Sequence, residues 1–136
     1  DMGTLSDLPR LLPQADVVCS VLPSTTQTAG IADQAFFDAM RDGAYFANAG
    51  RGDLVDQRAL VEALASGHLS GAALDVCTPE PLPAESPLWD APNLLLTPHV
   101  SGQFHLAVTL DNIVGIAAEN LAHLAAGEAL RNHVNA

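Results

Sequence analysis

Basic residues are scarce in this sequence. Lysine and arginine together number 5 in 136 residues, against 16 acidic residues, and the formal net charge is −11. A nucleic-acid-binding surface needs clustered cations to neutralise phosphates, and an anionic membrane surface attracts the same cations, so the charge argues against both partners. No apolar run approaches the roughly 20 residues that a membrane-spanning helix needs.

Cysteine is scarce as well. Cys19 and Cys77 stand far apart and show neither CxxC nor metal-ligand spacing, so we expect no disulfide framework and no metal site. We predict a reduced, cytoplasmic protein in which both act as small apolar side chains. A hydrophobic content of 49% with only 15% charged residues predicts a globular chain rather than a disordered one.

Short apolar runs alternate with helical patterns along the chain. Four runs lack the alternation of a half-exposed strand, which predicts strands covered on both faces, as in a parallel sheet. These predicted strands are residues 16–22, 44–47, 71–76 and 94–97. Asp33 and Asp56 are candidate N-caps of two helices that end near Gly43 and Gly67. The alternation predicts an α/β fold.

The last part of the chain differs from this pattern. Residues 77–93 contain five prolines and are not predicted to form a helix. Residues 105–126 place apolar side chains at spacings of three or four, which predicts one long amphipathic helix.

The residues that follow the predicted strands are candidates for a site. In open α/β sheets, ligands bind beyond the carboxyl ends of the strands. Arg51 follows the second strand, Glu80 the third and His99 the fourth. We therefore expect an arginine, a glutamate and a histidine to converge at one edge of the sheet.

The segment NAGRGDLVD, from Asn48 to Asp56, lacks the third glycine of a dinucleotide fingerprint. Gly50 and Gly52 fit the G-x-G-x-x-G pattern, but Val55 occupies the third glycine position. We interpret the two glycines as bringing Arg51 to the sheet edge with little bulk around it, where its planar fork suits a carboxylate. A solvent-exposed turn arginine is the alternative interpretation.

Glu80 and His99 are candidates for an acid–base pair. A carboxylate holds one imidazole tautomer and favours the imidazolium ion, so that the histidine can donate a proton near neutral pH. Taken singly, Glu80 also fits a surface carboxylate in a proline-rich loop, and His99 a structural histidine at a strand end.

Three segments carry a family resemblance: NAGRGDLVDQRALVEAL, GAALDVCTPEPLP and SPLWDAPNLLLTPHVSG. In this order and spacing they resemble the D-isomer-specific 2-hydroxyacid dehydrogenases, and the similarity runs from LLPQADVVCSVLPSTTQT to the final helix. The resemblance implies the second half of a Rossmann-type parallel sheet with flanking helices, followed by a long C-terminal helix.

The resemblance also implies a division of the chain. Residues 1–104 would be a partial dinucleotide-binding domain whose first βαβ half lies upstream of Asp1. Residues 105–136 would be a helix and tail that pack on a substrate domain outside this sequence. We therefore expect a piece of a longer, homodimeric enzyme, and poor cofactor binding by the piece alone.

Residue roles follow from the same resemblance. Arg51 would clamp the carboxylate of a small 2-oxo acid, and His99, supported by Glu80, would protonate its carbonyl oxygen as hydride arrives from NAD(P)H. The implied cofactor-binding residues are Pro23, Thr28, Ala49, Gly50, Arg51, Asp75, His99, Ser101 and Gly102. For Asp75 the implied contact is the nicotinamide carboxamide, and a simple strand-end cap is the alternative.

The resemblance leaves several functions open. Within this family, the segments SPLW and TPH favour reductases of glyoxylate, hydroxypyruvate or other small 2-oxo acids. The choice between NAD and NADP is not readable, because the residues that discriminate them are not in this sequence. A non-catalytic NAD(H)-sensing interaction protein, like the C-terminal-binding corepressors, and an inactive fragment are the alternatives.

Overall fold

The computed structural model describes residues 3–102 and 106–133. The chain forms two compact units, one ending at Ser101 and the other beginning at Gly102. The assignment of residues 1–104 and 105–136 to two domains of a longer enzyme remains a prediction.

The first unit is built on a parallel sheet of four strands in sequential order. The strands are β1 (Val17–Ser20), β2 (Tyr45–Asn48), β3 (Gly71–Leu74) and β4 (Leu94–Leu96). The predicted α/β class is confirmed. β1 is shorter than predicted and ends three residues before Pro23, a residue that cannot donate to the next ladder bond.

Two capped helices connect the strands. The Asp33 carboxylate accepts the N–H of Phe36 at the start of α2 (Gln34–Ala39). The Asp56 carboxylate likewise accepts two N–H groups at the start of α3 (Gln57–Ala65). Both predicted caps are therefore confirmed, and each satisfies backbone donors that the helix itself leaves unpaired.

A short helical segment at the start of the chain was not predicted. It consists of α1 (Leu8–Leu11) between 3-10 turns at Leu5–Asp7 and Leu12–Gln14. Each of these pieces is too short to show a helical hydrophobic period. Pro9 fits within the first turn of α1 because its missing N–H would have no partner there.

The core lies on one face of the sheet. Phe37 of α2 and Phe46 of β2 pack edge to face with ring centroids 5.2 Å apart, and Leu60 of α3 is fully buried in the same cluster. On the other face Val17, Tyr45 and Leu95 are exposed (57%, 53% and 62%). The prediction that the strands are covered on both faces is therefore wrong within the described residues, because α2 and α3 both pack into the one core.

The second unit contains α4 (Ala107–Ala126), which confirms the predicted long helix. Its predicted first residue, His105, lies outside the described residues. The helix ends at Gly127, whose φ of +72° closes it in the left-handed conformation that glycine adopts readily. Its exposed apolar residues include Val108, Leu110, Ile113, Val114, Leu121 and Leu124. None of the described helices has the length and hydropathy required to cross a bilayer.

Candidate active site

Three loops meet at the carboxyl edge of the sheet. They follow β2, β3 and β4 and carry Arg51, Glu80 and His99, which line one cavity of about 250 Å³. Ser24, from the loop after β1, and Asp53 line the same cavity. The structure thus brings together the three residues predicted for catalysis, although they are spread over nearly fifty positions of sequence.

A buried asparagine shapes the arginine loop, which we define as residues 49–56 between β2 and α3. Asn48, only 1% exposed, accepts the N–H of Gly50 (3.0 Å) and donates its side-chain amide to the carbonyl of Arg51 (2.9 Å). The Arg51 guanidinium in turn donates through Nη1 to the Gly50 carbonyl (2.8 Å). The sequence analysis did not identify Asn48, and an amide at a strand end just before a glycine is the signal that could have indicated it.

The two glycines beside Arg51 allow close backbone contacts. A Cβ on Gly50 would lie 2.5 Å from the carbonyl oxygen of Leu22, and one on Gly52 would lie 2.0 Å from that of Cys77. Real Cβ atoms do not approach backbone this closely. The glycines therefore let the arginine loop touch the loops after β1 and β3. The sequence analysis explained them differently, as leaving little bulk around the Arg51 guanidinium.

We predict that Gly52→Ala lowers the free energy of unfolding by about 1–3 kcal/mol, the usual range for overpacking. The new methyl group would push away the backbone at Cys77 and the side chain of Thr78, 2.7 Å from its position. Urea unfolding of both proteins would measure the change. Gly115→Ala is the matched control, since among the described residues no atom outside its own stretch of helix lies within 4 Å of its Cβ position. Equal midpoints for Gly52→Ala and the wild type would contradict the prediction.

The loop after β3 presents Glu80 to His99. The Glu80 Oε2 atom lies 2.8 Å from Nδ1 of His99, and Oε1 accepts the N–H of Cys77 (2.9 Å). The hydrogen bond with His99, followed by that from Cys77, lowers the pKa of Glu80 below its ordinary value. Gln57 of α3 also donates to the Thr78 carbonyl and so ties the loop to the helix.

The loop after β4 holds His99 in an uncommon conformation. Its φ of +52° lies in the left-handed region, which costs an ordinary residue about 1–2 kcal/mol. The N–H of His99 donates to the Asp75 carbonyl (2.9 Å) and to the Thr97 carbonyl (3.0 Å). The structure therefore fixes the backbone of the histidine as well as its Nδ1 atom.

Asp75 at the end of β3 is buried beneath this loop. Burial opposes its ionisation, but hydrogen bonds from Ser101, Thr97 and the N–H of Val100 outweigh that effect and hold the pKa of Asp75 far below its ordinary value. Asp75 is thus a carboxylate at neutral pH.

A larger, mostly apolar cleft of about 720 Å³ adjoins the same pair. Glu80, His99 and Cys77 belong to both cavities. The cleft is otherwise lined by Asp75, Pro81, Leu82, Trp89, Leu96, Thr97 and Pro98. Trp89 lies in a 3-10 turn, Pro87–Asp90, and its indole donates to the Pro83 carbonyl (2.8 Å). Burial, and then the charge of Glu80, raise the pKa of the Cys77 thiol, which therefore stays protonated at neutral pH.

The residues predicted to bind a cofactor do not all line one cavity. Thr28 is buried, and its hydroxyl donates to the Pro23 carbonyl (2.6 Å), so it braces the loop after β1. Ala49, Asp75 and Ser101 line a shallow cavity of about 330 Å³. Gly102 opens the second unit with a φ of +78°.

Another contact at the site was not foreseen from the sequence. The Ser24 hydroxyl donates to Oδ2 of Asp53, across 29 positions of sequence. This bond joins the loop after β1 to the arginine loop. Nothing in the local sequence indicates it, because both residues stand in ordinary polar loop positions.

A parallel sheet with an arginine and a carboxylate–imidazole pair at its carboxyl edge has its candidate site where open α/β sheets bind their ligands. Residues 1–101 match the family model described as D-isomer specific 2-hydroxyacid dehydrogenase, NAD binding domain. The chain belongs to this family. The match confirms the resemblance found in the sequence and the Rossmann-type fold.

Similar proteins agree with this assignment. The chain is 43% identical over 129 residues to glyoxylate/hydroxypyruvate reductase B of Citrobacter koseri, covering 95% of this chain and 39% of the relative. It is 41% identical to the enzyme of that name from an Enterobacter species, with the same coverage. The chain thus spans about two fifths of these relatives.

Solved structures show the same fold. A D-isomer specific 2-hydroxyacid dehydrogenase from Xanthobacter autotrophicus, in complex with NADPH and MES, superposes with a TM-score of 0.87 at 37% identity, over 98% of this chain and 54% of that one. An NADPH-dependent glyoxylate/hydroxypyruvate reductase from Sinorhizobium meliloti, in complex with NADP and sulfate, gives 0.83 at 32% identity, over 96% and 42%.

Proposed function

We propose that the protein to which this chain belongs is an NAD(P)-dependent oxidoreductase that reduces a small 2-oxo acid to a D-2-hydroxy acid, or catalyses the reverse reaction. The observation that carries the proposal is the 2.8 Å contact between Glu80 and His99 in a cavity that also contains Arg51. These are an acid–base pair and an anion-binding group, the two elements that carbonyl reduction of an acid requires.

The proposed roles follow from the chemistry of each group. Arg51 binds the substrate carboxylate through its guanidinium fork and orients the neighbouring carbonyl. His99 donates a proton to the carbonyl oxygen during reduction and accepts it in the reverse direction. Glu80 holds Nδ1 of His99 and stabilises the imidazolium ion. The cofactor, when bound, supplies or accepts the hydride.

The chain has a suitable surface for part of such a cofactor. The shallow cavity near Ala49 and Ser101 has the small side chains of Ala47 and Ala73 in its lining, so a flat ring can approach the strand ends. It reaches Asp75 and the loop that carries His99. We assign Ala49, Gly50 and Ser101 to the nicotinamide side of the site, and Pro23 and Thr28 to its margin. Both NAD and NADP fit this proposal.

The proposal is tested with the full-length protein, using NADH and NADPH against 2-oxo acids of increasing size, with chiral analysis of the product. Turnover of glyoxylate or hydroxypyruvate is expected, because the similar reductases carry these substrates in their names. Cofactor binding without any turnover would contradict the proposal and favour the NAD(H)-sensing alternative. We also propose that the full-length protein is a homodimer in a reduced, cytoplasmic setting. Sedimentation analysis would measure its assembly state.

The Glu80–His99 pair predicts a specific pH effect. Since the pKa of Glu80 is lowered, Glu80 carries its charge at neutral pH and stabilises the protonated imidazole that reduction uses. Glu80→Gln removes this charge, so the alkaline limb of the reduction rate should move to lower pH, with a loss of about tenfold at pH 8. Glu85→Gln, an exposed carboxylate of the same proline-rich loop, is the control. An unmoved alkaline limb would remove Glu80 from its proposed role.

A further inference from the structure

The position of Glu80 depends on a loop rather than on a strand or a helix. Within the loop after β3, its Oε1 atom accepts the N–H of Cys77 (2.9 Å). That bond closes a short turn but ties Glu80 to no regular element. Because Oε2 lies 2.8 Å from Nδ1 of His99, which stands on another loop, the geometry of the pair requires the loop after β3 to be held in place.

Gln57 of α3 provides such a support. Its side-chain amide donates to the carbonyl oxygen of Thr78, across 21 positions of sequence. Among the described residues, this is the one side-chain hydrogen bond that joins a helix to the backbone of residues 77–80. Gln57 is the first residue of α3, whose start is fixed by the Asp56 cap and whose Leu60 is fully buried. The amide is therefore attached to a rigid element.

The arginine loop touches the same stretch of backbone. The Cys77 carbonyl oxygen lies 2.0 Å, and the Thr78 hydroxyl 2.7 Å, from the place that a Cβ on Gly52 would occupy. A close contact of this kind resists nearer approach of the two loops but does not resist their separation. The hydrogen bond from Gln57 does resist separation, so the two contacts together fix the distance at which the loop after β3 stands.

We propose that Gln57 is the positioning residue for Glu80, and that by holding the Thr78 carbonyl it keeps the Glu80 carboxylate within hydrogen-bonding distance of His99. Among the described residues, Gln57 is not part of the cavity lining that contains Arg51, Glu80 and His99, so it acts through the loop. The consequence for turnover rests on the function proposed above. The consequence for the geometry of the Glu80–His99 pair does not.

The pH dependence of 2-oxo acid reduction by the full-length enzyme tests this role. Gln57→Met keeps the length and helix propensity of the side chain but removes the donor. A loosened Glu80 should stabilise the imidazolium ion less, so kcat/KM should fall about threefold at pH 8, part of the loss expected for Glu80→Gln. At pH 6, where an ordinary histidine is already largely protonated, it should stay near the wild-type value. An equal loss at both pH values, or an unchanged profile, would overturn the proposal.

Gln34→Met is the matched control. Like Gln57, Gln34 is the first residue of a helix and follows an aspartate cap, but its amide donates to Asp38 of its own helix (2.8 Å). It should leave the pH profile unchanged. In a Glu80→Gln background, Gln57→Met should have little further effect at pH 8, because the carboxylate that Gln57 positions is gone. A full threefold loss in that background would contradict the proposal.

Titration of the Glu80 carboxyl by ¹³C NMR in the full-length protein gives a readout that needs no turnover. The hydrogen bond with His99 is the first cause of its lowered pKa. If Gln57 holds the pair together, the pKa of Glu80 should rise toward its ordinary value in Gln57→Met and in a second variant, Gln57→Ala. Both variants retain the other titratable groups that share a cavity with Glu80, namely Arg51, Asp53, Asp75 and the Cys77 thiol. An unchanged pKa of Glu80 would overturn the positioning role whether or not the enzyme reduces a 2-oxo acid.

Discussion

Replacement of His99 by asparagine should lower kcat for 2-oxo acid reduction about a thousandfold, within the range that general acid catalysis contributes. Asparagine suits the test because it tolerates the left-handed backbone (φ +52°) that His99 adopts. The loop and its bonds to Asp75 should therefore survive while the transferable proton is lost. Single-turnover measurements with NADH in excess would separate this chemical step from product release.

Two controls define the result. His133→Asn changes an exposed histidine near the end of the described chain and should leave kcat unchanged. The circular dichroism spectrum of His99→Asn should match that of the wild type, since the fold does not depend on the proton. A loss of less than tenfold in folded His99→Asn would show that another group, or solvent, supplies the proton.

The fold was largely predictable because its signals are local. Asp33 and Asp56 cap helices through backbone donors two or three residues away, so the sequence alone places both helix starts. The apolar strands identify a parallel sheet, and parallel strands bring their carboxyl ends to one edge. The convergence of Arg51, Glu80 and His99 follows from these two facts before any side chain is placed.

The features that were not predicted depend on contacts between distant segments. Gly52 is required because the loop after β3 passes over it, a fact that no local pattern shows. The four bonds to Asp75 come from residues 22 to 26 positions further along the chain. A strand-end carboxylate looks the same in the sequence whether it accepts a cofactor or anchors a loop.

The loops of the site also touch one another directly. The arginine loop contacts the loop after β3 through Gly52 and Cys77, and the Asp75 carboxylate accepts hydrogen bonds from the loop after β4. Changes at these positions should therefore be non-additive, as expected for residues that share partners.

Arg51→Lys should lower kcat/KM for the 2-oxo acid about a hundredfold although it keeps the positive charge. Lysine is a point charge and cannot reproduce the two parallel N–H···O bonds of the guanidinium fork, and hydrogen bonds to charged groups contribute about 1.5–3 kcal/mol. It also cannot place a donor on the Gly50 carbonyl, 2.8 Å from Nη1, while a second donor binds substrate in the same plane. Both KM and kcat should suffer, because the carboxylate and the carbonyl are oriented together.

The charge of the cavity makes Arg51→Ala the more severe change. Among the described residues that line it, Arg51 is the sole lysine or arginine, whereas Asp53 and Glu80 are acids. Removal of the guanidinium leaves a negative cavity that repels an anionic substrate, so KM should rise further than in Arg51→Lys. The KM of this variant should fall as salt is added, because ions screen the repulsion between exposed charges.

Arg58→Lys, on the exposed side of α3, is the matched control for Arg51→Lys and should leave the kinetics unchanged. Near-normal kcat/KM in Arg51→Lys would make Arg51 an ordinary turn residue and assign carboxylate binding to another group.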